Sequence, residues 1–320
     1  MISVFVLRNG VTEVTDRLDP AWLEPGAGVT LWVDIAAPSE ADGKLLADVF
    51  HFHPLSVEDA LSVTQFPKIE PYPGYLYVVL HGLDFKAAKH QFATRDIDFF
   101  LGPNYLLTIH DGDSRSIAKL RDVCEKHTRI LSEGPVALMH RIIDQMVDNY
   151  RPMMEELEGQ IDRLEEQAFY GRQHIARKVL RLKRDLASMR RVLIPQRDAV
   201  SRLARREFPA ISDEMSYRFR DVYDHVVRLT DEAILFQDRV TGILEVNLAA
   251  VSNRLNQVMK VLTVLSTIFM PLTLLSGMWG MNVKLPTLPG GDAAQFWWLT
   301  GVMVALTTGM LAFFRLKDWI

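Results

Sequence analysis

Two long uncharged segments near the C-terminal end constrain the fold of this chain more than any other feature. Residues 261–281 and residues 293–314 contain no charged side chain. Each segment is about 20 residues long, enough for a helix to cross a hydrocarbon layer of about 30 Å. The alternative is a buried core helix of a soluble domain, but two such segments in one short region are hard to bury in a soluble core. The sequence therefore predicts two membrane-spanning helices.

Basic residues flank both segments on one side of the predicted membrane. Arg254 and Lys260 precede the first segment, and Arg315 and Lys317 follow the second. The connecting loop carries only Lys284 and Asp292 as charged residues. Because Lys and Arg are enriched on the cytosolic side, we expect both termini in the cytosol and a short external loop. The chain is thus predicted to be a multi-pass protein of the cell membrane, in contact with membrane lipid.

The first third of the chain is predicted to be an α/β domain. Runs rich in β-branched and aromatic residues predict strands at residues 2–7, 30–35, 76–82, 96–101 and 105–109. Gly102-Pro103-Asn104 separates the last two runs and predicts a hairpin turn, so part of the sheet is antiparallel. Helices are expected at residues 40–50 and 55–61, between the second and third strands.

The middle of the chain has helical periodicity. Residues 136–169 and 174–208 carry apolar residues at i, i+3, i+4 and i+7 with opposite charges between them, a pattern typical of two long antiparallel helices. From about residue 213 the pattern runs through residue 260 without a proline and continues into the first apolar segment. A long stalk fused to a membrane helix suggests a protein that transmits force or lines a conduit.

These patterns predict a fold class: an α/β cytosolic domain, a long stalk helix and two C-terminal transmembrane helices. The predicted parts are a cytosolic α/β domain (1–131), an antiparallel helical hairpin (132–212), a stalk helix continuing into the first transmembrane helix (213–282), an external loop (283–295), the second transmembrane helix (296–314) and a cytosolic tail (315–320).

Composition argues against several classes of function. The net charge is −4, and no basic run is interleaved with aromatic residues, so we expect no nucleic-acid partner. Cys124 is the only cysteine, which excludes an internal disulfide and fits a reducing cytosol. Glycine-rich phosphate loops, nucleophile elbows and zinc-protease helices are absent from the sequence. We therefore expect neither an enzyme nor an organic cofactor.

A polar row follows one face of the first predicted span. Steps of seven from Asn256 give Asn256, Thr263, Met270 and Gly277, and the neighbouring row gives Met259, Ser266, Thr273 and Gly280. Toward the stalk the same spacing gives Asp231, Asp238 and Glu245. In an oligomer with this face inward, carboxylate rings would line a cytosolic vestibule and concentrate cations. Amides and hydroxyls would line the membrane pore, where they suit a hydrated divalent ion such as magnesium, and Met259 and Met270 could form an apolar gate.

A packing seam between helices is the alternative explanation of this row. Small and hydroxyl residues commonly line such seams in membranes. Repeated carboxylates have no use in a packing seam, whereas an ion path explains both halves of the row.

Several motifs of this chain resemble those of a known family. Gly280-Met281-Asn282, at the outer end of the first span, matches the Gly-Met-Asn signature of the CorA magnesium transporters. Residues 256–263, 268–273 and 317–320 are also similar to that family, as are residues 52–55, 58–59, 67–68 and 219–225 of the soluble part. The resemblance covers most of the chain, although the first forty residues contribute little to it.

The resemblance implies a funnel-shaped homopentamer whose first span lines the pore. Asn282 would contact a hydrated cation through water, and Asn256 would form an inner polar ring. Met259, Leu262 and Met270 would be candidate gate residues. Magnesium would be both the transported and the regulatory ion, with Asp59 and Asp221 at the regulatory positions and Glu58 and Asp148 nearby.

Three alternatives stay open at the level of sequence. Cobalt and nickel are further candidate ions, and the related ZntB zinc transporters share the architecture, so zinc is an alternative metal. The loop after the signature lacks the glutamate usual in close CorA relatives, which leaves the capture step open. A membrane-anchored coiled-coil scaffold is the remaining alternative, and it should tolerate Leu at Asn256 or Asn282, whereas a channel should not.

Overall fold

The computed structural model describes residues 2–24, 26–62, 66–84, 92–170, 175–282 and 291–319. The chain forms two compact units, one of Met1–Glu166 with His174–Leu244 and one of Gln167–Gln173 with Glu245–Ile320. We describe the two units separately below.

The first unit is built on a seven-stranded mixed sheet. Its strands are β1 Ile2–Arg8, β2 Val11–Thr15, β3 Thr30–Ala36, β4 Lys68–Tyr72, β5 Tyr75–Leu83, β6 Thr94–Leu101 and β7 Tyr105–His110. Their order is β2-β1-β3-β7-β6-β5-β4, and β3 and β7 are parallel while the other neighbours are antiparallel. The predicted hairpin at residues 102–104 is confirmed, because β6 pairs antiparallel with β7 and the amide of Gly102 donates to the carbonyl of Tyr105 at 2.9 Å.

Strands β2 and β4 are the two that the sequence pattern did not predict. Both lie at edges of the sheet. The side chains of β2 are mostly exposed, so the strand lacks an alternation of apolar and polar residues. Strand β4 contains Pro71, which an edge strand tolerates because its outer amide needs no partner.

Helices pack on the sheet and form its core. Helices α1 Glu40–Asp48 and α2 Pro54–Leu61 contribute Leu46, Val57 and Ala60 to a cluster with Val33, Val79, Phe100, Leu107 and Ile109 from the strands. Helices α3 Arg115–Lys126, α4 Arg129–Ser132 and α5 Pro135–Asp148 follow, and α5 contacts β5, β6 and β7. The imidazole of His53 caps α2 by accepting from the amide of Leu55 at 3.2 Å.

The helical hairpin differs from its prediction at one point. The first predicted helix, residues 136–169, is broken into α5, which ends at Asp148, and α6 Arg151–Phe169. Pro152 explains the break, since proline lacks an amide donor and disfavours helix at the preceding residue, so it is tolerated only in a first turn. The second predicted helix is α7 Ala176–Ala204, which is followed by α8 Asp213–Trp279.

Two helices are long and apolar enough to cross a membrane. The apolar window of α8 has a mean hydropathy of 1.9 with 11% of it buried, and that of α9 Gly291–Leu316 has 1.6 with 6% buried. Such low burial argues against core helices of a soluble domain. Helix α9 includes residues 291–295, which we expected in the loop. Residues 283–290 of that predicted loop, with Lys284, lie outside the described residues.

Candidate pore helix and metal site

One face of the membrane part of α8 packs on α9. Val264 and Ile268 of α8 are buried against Phe314 of α9. Leu272 and Met310 extend this contact. The packing face is therefore defined by positions 264, 268 and 272, which recur every four residues as expected for one side of a helix.

The predicted pore row lies on the other side of α8. With 3.6 residues per turn, Asn256, Thr263 and Met270 point about 120°, 140° and 160° away from the centre of the packing face. Each of these three side chains is exposed in the single chain. The candidate gate residues are exposed as well, with Met259 at 59%, Leu262 at 56% and Met270 at 77%. The row is thus turned away from α9 and is accessible to other molecules.

The C-terminal end of α8 carries hydrogen-bonded hydroxyl groups. The hydroxyl of Thr273 donates to the carbonyl of Phe269 at 2.8 Å, and the hydroxyl of Ser276 donates to the carbonyl of Thr273 at 3.1 Å. The amide of Gly280 continues the helix by donating to the carbonyl of Ser276 at 2.9 Å. Met281 and Asn282 follow the end of α8 and are exposed.

The other end of the membrane segment is tied to the end of α9. The ammonium of Lys260 donates to the carbonyl of Asp318 at 2.7 Å and lies 5.9 Å from the ring centroid of Trp319. The Trp319 ring stacks on Phe314 at a centroid distance of 5.7 Å. The tail after α9 is therefore folded back onto α8.

The predicted carboxylate row occupies an exposed face of α8. Asp231, Asp238 and Glu245 are all exposed. In the first unit, the buried face of α8 includes Val226, Ala233 and Val240. At 3.6 residues per turn Asp231 and Asp238 point away from that buried face, so they can act on ions in solution.

A cluster with metal-ligand spacing lies between α5 and α8 of the first unit. Asp144, Asp148 and His225 each place one ligand atom within 4.8 Å of the others. Asp148 and His225 line a cavity of about 230 Å³ together with Arg151, Arg228 and Glu232. Two carboxylates and an imidazole can hold a divalent cation, with the carboxylates suited to magnesium and the imidazole to a transition metal.

Electrostatics in this cluster favour a bound cation. Partial burial raises the pKa of Asp144, and the nearby carboxylates of Asp148 and Asp221 raise it further. His140 and His225 oppose this effect. Because like charges crowd Asp144, a divalent cation would relieve the repulsion.

The other predicted metal residues lie elsewhere on the first unit. Glu58 and Asp59 belong to α2 and are not members of this cluster. Asp59 forms an ion pair with Lys68 at 2.5 Å, and Lys68 also bonds Glu70 at 3.0 Å. Burial alone would lower the pKa of Lys68, but the bonds to Asp59 and Glu70 raise it, so the ammonium stays charged. Of the four predicted residues the structure thus places Asp148 in the cluster and Asp221 within electrostatic reach of it.

Sequence reasoning missed Asp144 and His225. A usable signal was present, since Asp144 and Asp148 are four residues apart on α5, and Asp221 and His225 are four apart on α8. Residues at i and i+4 share one face of a helix. Only the fold, however, brings these two faces together.

Comparisons with known proteins identify the family of this chain. Residues 27–316 match the family model described as CorA-like Mg²⁺ transporter protein. The chain is 33% identical over 318 residues to YfjQ of Bacillus subtilis, covering 98% of this chain and 95% of that one. It is 32% identical over 297 residues to the cobalt/magnesium transport protein CorA of Thermotoga maritima, covering 90% and 83%.

Solved structures show the same fold. The complete CorA magnesium transporter of Methanocaldococcus jannaschii aligns with a TM-score of 0.84 at 22% identity, covering 100% of this chain and 99% of that one. The cytoplasmic domain of ZntB from Vibrio parahaemolyticus aligns with a TM-score of 0.61 at 17% identity, covering 79% and 97%. The family match over most of its length, together with the two apolar C-terminal helices, shows that the chain is a membrane protein of the CorA family of divalent metal transporters.

Proposed function

We propose that this protein is a channel for divalent cations, magnesium first, formed by several copies of the chain, with five as the expected number. The observation that carries the proposal is the polar row on α8, which is exposed and turned away from α9. Copies arranged with this row toward a common axis would place α8 around a pore and α9 outside it.

Each part of the row has a role in this proposal. Gly280, Met281 and Asn282 form the outer mouth, where the Asn282 amide contacts the hydrated ion through water. Thr273, Thr263 and Asn256 provide successive rings of neutral oxygen, and the vestibule carries the carboxylates of Asp231, Asp238 and Glu245. Neutral oxygens suit an ion that keeps much of its water shell, as magnesium does. The exposed side chains of Met259, Leu262 and Met270 provide candidate apolar constrictions, which block ions by dewetting.

The membrane potential supplies the driving force in this proposal. With both termini in the cytosol, a divalent ion entering the cell gains about 4.6 kcal/mol per 100 mV, twice the value for a single charge. An inside-negative potential is thus sufficient for uptake without an energy-coupling domain.

Regulation by internal magnesium is the second part of the proposal. In the assembled oligomer, Asp59 of one copy would approach Asp221 of the next, close to the cluster of Asp144, Asp148 and His225. The crowded carboxylates repel one another until a cation bridges them. High internal magnesium would then hold the copies in a closed arrangement, and its loss would release them.

Ion flux into liposomes tests the channel. The purified full chain is reconstituted with a magnesium-sensitive dye inside, and uptake is measured under an imposed inside-negative potential, with cobalt, nickel and zinc in parallel. We expect fast magnesium entry that internal magnesium slows. Zinc entry without magnesium entry would favour the second candidate function, zinc transport, which the likeness to the ZntB domain and the imidazole of His225 support. No flux of any ion would favour a scaffold.

The regulatory carboxylates are tested in the same assay. We expect Asp59→Ala combined with Asp221→Ala to raise the internal magnesium concentration needed for closure, because the bridging ligands are lost. Asp122→Ala combined with Glu125→Ala removes two exposed carboxylates of α3 and serves as the matched control. Unchanged closure in the first variant would contradict the regulatory assignment while leaving the channel intact.

A further inference from the structure

Helix α7 carries a row of arginines on its outer face. Arg177, Arg181, Arg184 and Arg191, called the arginine row below, fall within an arc of about 80° at 3.6 residues per turn. The buried residues Val179, Leu182, Leu186, Met189 and Leu193 define the opposite face of the same helix. All four arginines are exposed. Their placement is therefore set by a helix whose inner face is packed.

The arginine row is only partly compensated in its own unit, where Arg181 interacts with the nearby carboxylate of Asp185. Among the described residues, no ion pair involves any of these four side chains, whereas Arg197 and Arg202 farther along α7 pair with Asp198 and Glu207. Like charges on neighbouring turns of one helix face repel each other. The row is thus a surface that gains from an acidic partner.

Helix α6 carries a complementary acidic row. Glu155, Glu158, Asp162 and Glu166 are exposed and, at 3.6 residues per turn, lie about 120° from the centre of the buried face. Arg239 of α8 bonds Asp162 at 2.6 Å, and Arg151 pairs with Glu155 at 3.5 Å. Despite these pairs, the side chains of Asp162 and Glu155 remain 61% and 69% exposed to solvent. Four acids share two arginines here, so the acidic row keeps a surplus of negative charge.

The two rows are comparable in length and do not pair with each other in the described part of the chain. The arginine row spans about 21 Å and the acidic row about 16 Å, at 1.5 Å per residue. No ion pair between α6 and α7 occurs among the described residues. Two different, complementary surfaces on one chain favour head-to-tail association, which closes into a ring when the rotation between copies permits.

We infer that the arginine row of one copy docks on the acidic row of the neighbouring copy. This inference rests on the proposed homo-oligomer and names a contact surface for it. The partner is a second copy of this chain, selected by charge, and the contact is electrostatic and weakened by salt.

Charge reversal in the full detergent-solubilised chain tests the contact. One variant carries Arg177→Glu, Arg181→Glu and Arg184→Glu, a second carries Glu155→Arg, Glu158→Arg and Glu166→Arg, and a third carries all six changes. Light scattering across a dilution series at low salt gives the concentration of half-assembly. We expect each three-site variant to raise it about tenfold, since several exposed pairs become repulsive. The six-site variant should return it close to the wild-type value.

Controls separate this contact from folding and from the oligomer itself. Arg8→Glu, Arg17→Glu and Lys44→Glu reverse three exposed charges elsewhere on the first unit and should leave assembly unchanged. Far-ultraviolet circular dichroism and Tm show whether each variant is folded, and Arg→Gln versions of the arginine row provide a milder change. If the wild-type chain assembles and none of these variants changes its assembly, the docking surface is wrong but the oligomer stands. If the wild-type chain is monomeric, the proposed oligomer is wrong as well.

A lipid partner is the competing outcome. Vesicles of neutral lipid, with and without anionic lipid, are mixed with detergent-free nanodiscs that hold the wild-type chain or the arginine-row variant. Binding to the vesicles is measured by flotation. Loss of anionic-vesicle binding in the arginine-row variant, without rescue of assembly in the six-site variant, would overturn the proposal in favour of a lipid headgroup. Rescue of assembly by the six-site variant supports docking between copies.

Discussion

The carboxyl group of Asp98 lies in the core of the first unit, where a charge is costly. It is 4% exposed and accepts a hydrogen bond from the hydroxyl of Tyr77 at 2.5 Å. Burial raises its pKa to about 8, and the charges of Asp96 and Asp59 add to that effect, while Tyr77 and Lys68 oppose it. The folded protein therefore holds a proton here at neutral pH that the unfolded chain releases.

The buried proton on Asp98 makes the stability of the folded protein depend on pH. An unfolded Asp titrates near pH 3.9, so the stabilising contribution is complete below about pH 4. It is lost as pH rises toward 8, because the unfolded state then binds fewer protons than the folded state. We expect Asp98→Asn to remove this decline and to raise stability at pH 8.5 by on the order of 1–3 kcal/mol. Tm from scanning fluorimetry between pH 5 and 9 measures the effect.

Asp122→Asn is the matched control for this prediction, because it removes an exposed carboxylate of α3. It should keep the wild-type decline of Tm with pH. A variant at Asp98 with that same decline would contradict the assignment of the buried proton.

Asn256 and Asn253 offer a matched pair of amides on one helix. Both are exposed on α8, but at 3.6 residues per turn they point about 60° apart, and Asn256 alone belongs to the polar row. We expect Asn256→Leu to reduce magnesium uptake to background, because an apolar ring replaces a ring of amide oxygens. Asn253→Leu should keep most of the uptake. Equal uptake by both variants in the liposome assay would remove Asn256 from the pore.

At the scale of elements, α8 has one face that packs on α9 and another that is exposed. Val264 and Ile268 face α9, whereas Met270 is 77% exposed on another side. If several copies of the chain surround a common axis, their exposed Met270 side chains would form a ring there. A ring of thioethers is apolar and can exclude water.

This arrangement predicts the behaviour of a polar substitution at the gate. We expect Met270→Ser to leave uptake active at internal magnesium concentrations that close the wild-type protein, because a hydroxyl ring stays wet. Leu265→Ser, on another exposed face of α8, should close normally. If Met259→Ser is open under these conditions and Met270→Ser is closed, the narrow point lies at Met259.

Sequence patterns predicted most elements, and the exceptions have physical causes. Long periodic segments such as α7 and α8 were predictable because one face of each is continuously apolar. Strand β2 was not, since it is an exposed edge strand, and the break before α6 was not, although Pro152 marks it. In both cases a local feature, an edge position or a proline, determined the structure instead of the hydrophobic periodicity.

Whether a candidate site could be predicted from the sequence depended on how close its residues are along the chain. The polar row is local in sequence, so its spacing could be read directly from Asn256 onward. The cluster of Asp144, Asp148 and His225 joins residues about eighty positions apart, and only the packing of α5 beside α8 brings them together. Whether Asp59 reaches Asp221 depends on a second copy, which no pattern within one chain specifies.

At the scale of the whole molecule, the proposed channel is a passive device whose energy source is the membrane potential. The chain combines the carboxylates of its first unit with two apolar helices. A divalent ion gains about 4.6 kcal/mol per 100 mV on entry, which favours accumulation by more than about a thousandfold.

This energy source predicts a specific dependence on voltage. With equal magnesium on both sides, we expect uptake into liposomes under an inside-negative potassium diffusion potential and none when the potential is collapsed. A pH gradient alone should drive no uptake. Uptake that follows the pH gradient instead of the potential would indicate proton coupling and contradict the passive mechanism.

The tie between Lys260 and the tail after α9 has a mechanical consequence. It lies one helical turn before Val264, which already packs on Phe314, so α8 and α9 are joined at two successive levels. Two attachment levels prevent one helix from rotating about its own axis while the other stays still. In the proposed channel, a twist of α8 that widens the pore would therefore carry α9 through the surrounding lipid. Opening of that channel would then perform work against the lateral pressure and viscosity of the bilayer, so the thickness and fluidity of the membrane would determine how readily it conducts.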